Sequence, residues 1–207
     1  MPLQNRVTPA GEIIVTRYRG TLMGNRGGRF HDPETRTLTA RRFVSRRWIC
    51  CALHFRNRRR TVMGEGYTEL FFLDEPTALA AGHRPCFECR RAAAQQFQSC
   101  WQHAKASPER PRADEMDAIL HEERLAAPAL IPLDDLPDGT ALLLPGAGSE
   151  PERFAMLRAG TLLPWRAGGY GAALPLPSNQ PIAVLTPPSI LAVLRQGYRP
   201  LWHPSAG

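Results

Sequence analysis

Residues 71–90 carry the sequence FFLDEPTALAAGHRPCFECR, and this stretch decides the fold of the surrounding chain. The two phenylalanines end a predicted strand, and Asp74 follows them at a position typical of a helix N-cap. The pattern predicts a two-turn helix over 75–81 that ends at Gly82. Two cysteines then stand three positions apart, directly before a second predicted helix.

This cysteine pair, Cys86-x-x-Cys89, predicts a metal site. Two thiols at the start of a helix can point towards one ion, and the helix N-terminus and nearby arginines favour the thiolate, which is the form that binds metal. The alternatives are redox chemistry and two unliganded thiols. A thioredoxin-type site requires the pair to follow the first strand of a βαβ unit, whereas here it follows a helix. With further cysteines upstream, the pattern favours Zn²⁺ as cofactor.

The upstream ligands are less clear from spacing. Adjacent residues of a strand point to opposite faces, so Cys50 and Cys51 cannot both reach one ion unless the backbone kinks. Cys50-x-x-x-His54 is an alternative, but these two residues lie about 13 Å apart in an extended strand, so the segment must turn if His54 is a ligand. The predicted ligands are Cys51, Cys86 and Cys89, with Cys50 or His54 as further candidates and His31 and His83 as weaker ones.

Residues 71–90 resemble the zinc-binding domain of the Ada adaptive-response DNA repair proteins. That family shows a phenylalanine pair, a short Ala-rich helix, Ala-Gly-x-Arg-Pro-Cys-x-x-Cys-Arg and an earlier C-x-x-x-C pair, for which this chain has Cys50-Cys51 or Cys50-x-x-x-His54. The resemblance covers at most residues 45–105. It implies DNA binding, a zinc site of four cysteines, and one cysteine of the first pair that accepts a methyl group from a methylated DNA phosphotriester. Cys50 and Cys51 are the candidates for that catalytic role.

The charge distribution also indicates a polyanionic partner. Of the 26 basic residues 25 are arginines, a bias that suits phosphate recognition but also follows from GC-rich codons. Residues 1–91 carry a net charge of +9 (17 basic, 8 acidic) and residues 92–207 one of −2 (9 basic, 11 acidic). Residues 36–60 contain nine arginines and no acid, with Trp48 and Phe55 available for stacking. The predicted nucleic-acid contacts are Arg41, Arg42, Arg46, Arg47, Arg56, Arg58, Arg59, Arg60, Arg84 and Arg90.

The remaining pattern predicts an α+β fold. Strands are predicted at 12–19, 47–55, 60–63, 67–73, 140–145, 153–165 and 181–186. Besides the first helix, helices are predicted at 90–105, at 115–125 and after the capping residue Ser189, while 24–29 are expected to form a glycine-rich basic loop. Cys100 falls on the apolar stripe of the second helix and is expected to be a buried free thiol. We therefore expect an Ada-like zinc-binding domain over 1–107 and a β-rich region over 115–207, either as separate units or packed as one body.

Composition limits the class of protein. The 207 residues are 43% hydrophobic and 22% charged, which excludes a fully disordered or fibrous chain. No stretch approaches the roughly 18 apolar residues of a membrane span, and no secretory signal is visible, so a cytoplasmic location is expected. Three functions remain: a zinc-stabilised protein that contacts DNA, a zinc-thiolate enzyme (methyl acceptor or metal-assisted hydrolase), and a binding module for small molecules or proteins in which zinc is structural.

Overall fold

Short strands from the first 85 residues form a mixed sheet. The computed structural model describes residues 1–58, 61–146, 152–177 and 181–207. The strands are β1 (Gln4–Val7), β2 (Ile13–Val15), β3 (Leu22–Arg26), β4 (Trp48–Ala52), β5 (Leu70–Phe72) and β6 (Arg84–Pro85), in the spatial order β2-β1-β5-β3-β4-β6. The pairs β1–β5 and β4–β6 are parallel, and the others are antiparallel.

The first helix, α1 (Glu75–Ala80), begins as its N-cap predicts. Asp74 Oδ1 accepts hydrogen bonds from the backbone N–H of Thr77 at 3.1 Å and from its hydroxyl at 2.8 Å. This satisfies a donor that a helix N-terminus otherwise leaves free. After the helix, Gly82 adopts a φ of +74°, and a Cβ there would lie 2.8 Å from the Arg124 side chain. Glycine therefore suits both the turn and the close packing at this point.

Three longer helices surround α1: α2 (Arg91–Ala104), α3 (Ala113–Glu123) and α4 (Pro188–Arg195). Their apolar faces form one cluster, which contains Leu79, Phe97, Cys100, Trp101, Met116, Leu120, Ile190, Val193, Leu194 and Tyr198. The buried positions of α2 are Ala94, Phe97, Cys100 and Trp101, so Cys100 is a buried free thiol as predicted. The cluster draws residues from both sides of the 107–115 connection, and the two parts of the chain share this core.

The second half forms an antiparallel sheet. Its strands are β7 (Ala129–Ile131), β8 (Ala141–Leu144), β9 (Arg153–Arg158), β10 (Thr161–Arg166), β11 (Gly169–Tyr170), β12 (Leu174–Pro175) and β13 (Ile182–Val184). The spatial order is β11-β10-β9-β8-β13-β7, and β12 also pairs with β10. One face of this sheet packs on α4 through Leu191. Together the two sheets and four helices confirm the α+β class.

Two buried carboxylates at the start of α1 bind the C-terminal segment to the N-terminal half. Asp74 Oδ2 accepts a hydrogen bond from the Tyr170 hydroxyl at 2.7 Å. Glu75 accepts one from the Tyr198 hydroxyl at 2.6 Å and another from the backbone N–H of Leu201 at 2.8 Å. Burial raises the pKa of Asp74 and of Tyr198, because both groups lose hydration of their charged forms.

Among the described residues, no helix combines the length and apolar character that crossing a bilayer requires.

Three local predictions are wrong. Gly24 and Arg26 lie in β3, not in a loop, because β4 and β5 pair with that segment from both sides. A Cβ on Gly24 would lie 2.2 Å from the Ile49 carbonyl oxygen, so glycine here permits close strand contact. Thr61–Met63 form a turn in place of a strand, and Arg60 lies outside the described residues. Ser189 is inside α4, not at its N-cap, and its hydroxyl and N–H donate to Glu123.

Candidate metal centre

Three cysteines from separate parts of the N-terminal half come together. The Sγ atoms of Cys51, Cys86 and Cys89 all lie within 4.8 Å of one another. Cys51 lies in β4, and Cys86 directly follows β6, the parallel neighbour of β4. The backbone N–H of Cys86 donates to the Cys50 carbonyl at 3.0 Å, which holds the two strands in register. The turn after Cys86 then brings Cys89 back to the same point, where Arg90 N–H donates to the Cys86 carbonyl at 3.0 Å.

The alternation of side chains along β4 separates the two adjacent cysteines. Cys50 is fully buried in an apolar cluster with Leu22, Phe72 and Ala78, on the face of the sheet away from the three-cysteine group. Its Sγ accepts a hydrogen bond from Arg90 Nη1 at 3.2 Å. Burial raises the pKa of the Cys50 thiol, since a thiolate there would lose its hydration. Cys50 is thus outside the group, and its role as an additional ligand is not supported.

The histidine candidates also lie outside the group. Within the described ranges, Cys51, Cys86 and Cys89 form the single cluster of three or more cysteine, histidine or acidic side chains with ligand spacing. His54 is exposed and lines the cavity beside them. The two ring nitrogens of His31 make hydrogen bonds to the Thr68 hydroxyl and the Gly64 carbonyl. His83 is buried, with its ring 5.0 Å from that of Trp48.

The three thiols are electrostatically coupled. Hydrogen bonds from the Cys51 and Cys89 thiols, and from the backbone N–H groups of Cys89 and Glu88, lower the pKa of Cys86 to about 2. The pKa of Cys51 is raised, because its thiol donates to both neighbouring sulfur atoms. The hydrogen bonds among the three thiols thus favour negative charge at Cys86. A metal cation is attracted to this negative charge, and its binding releases the protons that remain on the other thiols.

The donor set fits a metal ion. A metal–sulfur distance of about 2.3 Å in a tetrahedral site places the sulfur atoms about 3.8 Å apart, which the present group reaches by a contraction of about 1 Å at most. Thiolate donors suit zinc, copper(I) and iron–sulfur centres, whereas calcium and magnesium prefer oxygen. Cys51, Cys86 and Cys89 could hold a metal ion. Three protein ligands leave one tetrahedral position for a further ligand.

A cavity of about 470 Å³ adjoins the three cysteines, and all three line it. Met23 of β3 pairs with Cys51 of β4 on one side and with Phe71 of β5 on the other. All three residues line the cavity, so β3, β4 and β5 together form its floor. Its other walls include basic and aromatic side chains, namely Arg19, Arg58, His54, Phe55 and Tyr67. Arg58 is paired with Glu88 at 2.5 Å, and both are partly exposed. A ligand in this space has direct access to the sulfur atoms.

The predicted DNA-contacting arginines divide into three groups. Arg41, Arg42, Arg46, Arg47, Arg56 and Arg58 are exposed, and Arg59 and Arg60 lie outside the described residues. For the remaining two, Arg84 and Arg90, the predicted contact with phosphates is wrong. Arg84 is buried in a bidentate ion pair with Asp117, with distances of 2.8 and 2.7 Å. Arg90, whose side chain is 10% exposed, forms a bidentate ion pair with the buried Glu75, with two distances of 2.7 Å. These guanidinium groups are not available to phosphates, because their carboxylate partners already occupy them.

The aromatic candidates for base stacking also differ in exposure. Trp48 is only 5% exposed and lies beneath two guanidinium groups, those of Arg26 and Arg124. Phe55 is half-buried, with the guanidinium groups of Arg56 and Arg58 at 4.9 and 5.5 Å from its ring centre. Of the two, only Phe55 is placed to meet a ligand near the cysteines. The sequence analysis missed Arg19 and Tyr67, because both lie outside the strands and no local signal shows which side chains line this cavity.

No protein-family model matches the chain, and neither a curated protein nor a solved structure matches it. The resemblance to the Ada zinc-binding domain therefore remains a prediction made from the sequence.

Proposed function

We propose that this protein binds Zn²⁺ through Cys51, Cys86 and Cys89 and contacts DNA through the exposed arginines around β4. One observation carries the proposal: the three-cysteine group includes a residue of the arginine-rich segment itself. Cys51 lies between the arginines at 41–47 and those that begin at Arg56. A metal ion bound there connects this basic segment to the turn at 86–89, and so fixes the position of the arginines on the surface.

The charge of the segment supports a polyanionic partner. Among the described residues, Arg58 is the one exposed arginine of this segment that forms an ion pair, and its partner Glu88 is itself half-exposed. The other exposed arginines keep their charge available to solvent, and the segment from 36 to 60 has no acid of its own. Uncompensated guanidinium groups on one stretch of surface are typical of proteins that contact the phosphate backbone.

The DNA proposal predicts a steep dependence of affinity on salt. If six to eight phosphates are contacted, log Kd against log salt concentration has a slope with a magnitude of about 5–7, because each contact releases about 0.9 of a counterion. The double variant Arg46→Gln/Arg47→Gln is expected to weaken binding and to lower the magnitude of that slope by about 2. Fluorescence anisotropy with a labelled duplex and a labelled single strand measures both effects.

The matched control is Arg110→Gln/Arg166→Gln, which removes two exposed arginines of the second half. It removes the same net charge but is expected to leave the slope unchanged. Affinity that does not depend on salt, or equal losses in the two double variants, would contradict the proposed DNA surface.

A second candidate function is methyl acceptance by Cys51. The observation that favours it is the cavity, which gives a ligand access to three cysteines that leave one coordination position open. In this reaction the Cys51 sulfur attacks the methyl carbon of a DNA methyl phosphotriester. A sulfur–carbon bond forms, the carbon–oxygen bond breaks, and its electron pair leaves with the phosphodiester oxygen.

This second candidate predicts a covalent change on one residue. The zinc-loaded protein, incubated with a methyl-phosphotriester oligonucleotide, is expected to gain the mass of one methylene group, and peptide mapping should place it on Cys51. Cys50→Ser is the matched control, because Cys50 is adjacent in sequence but faces the core. It should still be methylated, whereas Cys51→Ser should not. Absence of any gain in mass, or methylation of Cys50, argues against this candidate.

A further inference from the structure

A second and larger cavity, of about 810 Å³, lies between the two sheets. We call it the inter-sheet cavity. On one side it is lined by Gly11 and by Ile13 of β2, an edge strand of the N-terminal sheet. On the other side it is lined by Ile131 of β7, an edge strand of the C-terminal sheet, and by Leu191 of α4. The two halves of the chain thus form this cavity jointly, and it is separate from the one beside the cysteines.

Two arginines at this cavity have no acidic ion-pair partner among the residues that the structure describes. Arg26 is 2% exposed, and its Nη2 donates to the Gly11 carbonyl at 2.7 Å. Arg124 donates to the carbonyls of Gly82 and Arg46, each at 2.8 Å. In the described part of the chain, neither guanidinium forms an ion pair. Both lie over the ring of Trp48, at 4.0 and 4.2 Å from its centre.

The nearby acids form no ion pair with these two arginines in the described part of the chain. Burial lowers the pKa of Arg124 to about 10 although the Asp117 carboxylate acts in the opposite direction, and Asp117 is itself held in a bidentate ion pair by Arg84. Glu123 lines the cavity but accepts two hydrogen bonds from Ser189, at 3.0 and 2.6 Å. Glu12 also lines the cavity and is exposed to solvent. Burial and, to a smaller extent, the positive charges of Arg124 and Arg42 lower the pKa of Arg26 to about 9, so the neighbouring cations repel one another.

One donor in this cluster is unsatisfied. The Nε–H of Arg124 is buried and has no hydrogen-bond partner among the described residues. A guanidinium remains charged in a folded protein, so this N–H is always a donor. A buried donor without an acceptor costs stability, and an acceptor oxygen that carries negative charge offsets that cost most strongly. The arrangement of a buried cation, a half-buried cation, an aromatic ring and a free donor is suited to an oxyanion.

We propose that the inter-sheet cavity binds a small organic oxyanion, a phosphate monoester or a carboxylate. The charged group of the ligand lies against Arg26 and Arg124, and exposed Arg42, which also lines the cavity, adds a third positive charge. The apolar body of the ligand lies against Ile13, Ile131 and other aliphatic side chains that line the opposite walls. This site does not depend on the metal centre or on DNA binding.

Calorimetric titration at constant ionic strength tests the proposal. The probes are phenyl phosphate and octanoate, with phenol and octanol as uncharged counterparts that have the same apolar bodies. At least one charged probe is expected to bind about ten-fold or more tightly than its counterpart. The probe that binds more tightly identifies the head group as phosphate or carboxylate.

Variants then assign the binding to this cavity. Arg124→Gln is expected to weaken the charged probe about ten-fold and Arg42→Gln to weaken it less, while Arg110→Gln, on a distant exposed loop, is expected to have no effect. Arg42 has an exposed side chain, so its variant keeps the test decisive if Arg124→Gln does not fold. The proposal is overturned if no charged probe exceeds its uncharged counterpart. It is also overturned if binding is unchanged in every folded variant among Arg124→Gln and Arg42→Gln.

Discussion

Replacement of Cys86 by serine is expected to reduce bound zinc from about one ion per chain to almost none. Hydrogen bonds from both other thiols lower the pKa of Cys86, so its loss removes a ligand that is readily deprotonated for metal binding. A ligand present at about a thousand times its Kd stabilises the native state by about 4 kcal/mol. For a chain of this size we expect the melting temperature to fall by about 8–16 °C.

The measurement combines elemental analysis of the purified protein with thermal unfolding in the presence and absence of a chelator. Cys100→Ser is the matched control, because Cys100 is a free thiol buried in the helical core, where it donates to the Gln196 carbonyl at 3.5 Å. This control should keep its zinc. If the unmodified chain purifies without zinc and the chelator leaves its melting temperature unchanged, the proposed zinc centre is wrong.

Replacement of Arg84 by methionine is expected to destabilise the fold by about 3–5 kcal/mol, because it leaves the Asp117 carboxylate buried without a partner. The two side chains are 4% and 7% exposed, so water cannot replace the lost contact. Urea unfolding measures this change in the free energy of unfolding. Arg58→Met is the matched control, since Arg58 and Glu88 are 43% and 53% exposed and such a pair contributes less than about 1 kcal/mol.

The double variant Arg84→Met/Asp117→Leu distinguishes two contributions to the free energy of unfolding, namely the cost of one unpaired buried charge and the net contribution of the ion pair. Because it removes both buried charges, it is expected to be more stable than Arg84→Met alone. DNA affinity per folded molecule should be unchanged in both variants, as the structure places Arg84 in the interior. A loss of DNA affinity in Arg84→Met without a loss of stability would instead support the original prediction of a phosphate contact.

Local signals account for the part of the site that was predicted. The cap at Asp74, the stop near Gly82 and the spacing of Cys86 and Cys89 are short-range features, and each is found at the predicted place. The choice between Cys50 and Cys51 has no such signal, because β4 itself carries apolar side chains on both of its faces. The pairing of β4 with β6 determines that Cys51 joins Cys86 and Cys89, and these two strands are separated by more than 30 residues in the sequence.

The sequence by itself determined the α+β class, the first helix with its cap, the cysteine pair that follows it and the concentration of arginine in the first half. The cap, the helix and the cysteine pair depend on spacing within about twenty residues, and the class and the arginine distribution depend on composition and pattern along the chain, without any contact between distant residues. Only the tertiary structure decided which upstream cysteine joins the pair, that Arg84 and Arg90 are paired with buried carboxylates, and that Arg26 and Arg124 both lie over Trp48. Each of these outcomes depends on a partner far away in the chain, and charge alone does not show whether an arginine faces solvent or a buried acid.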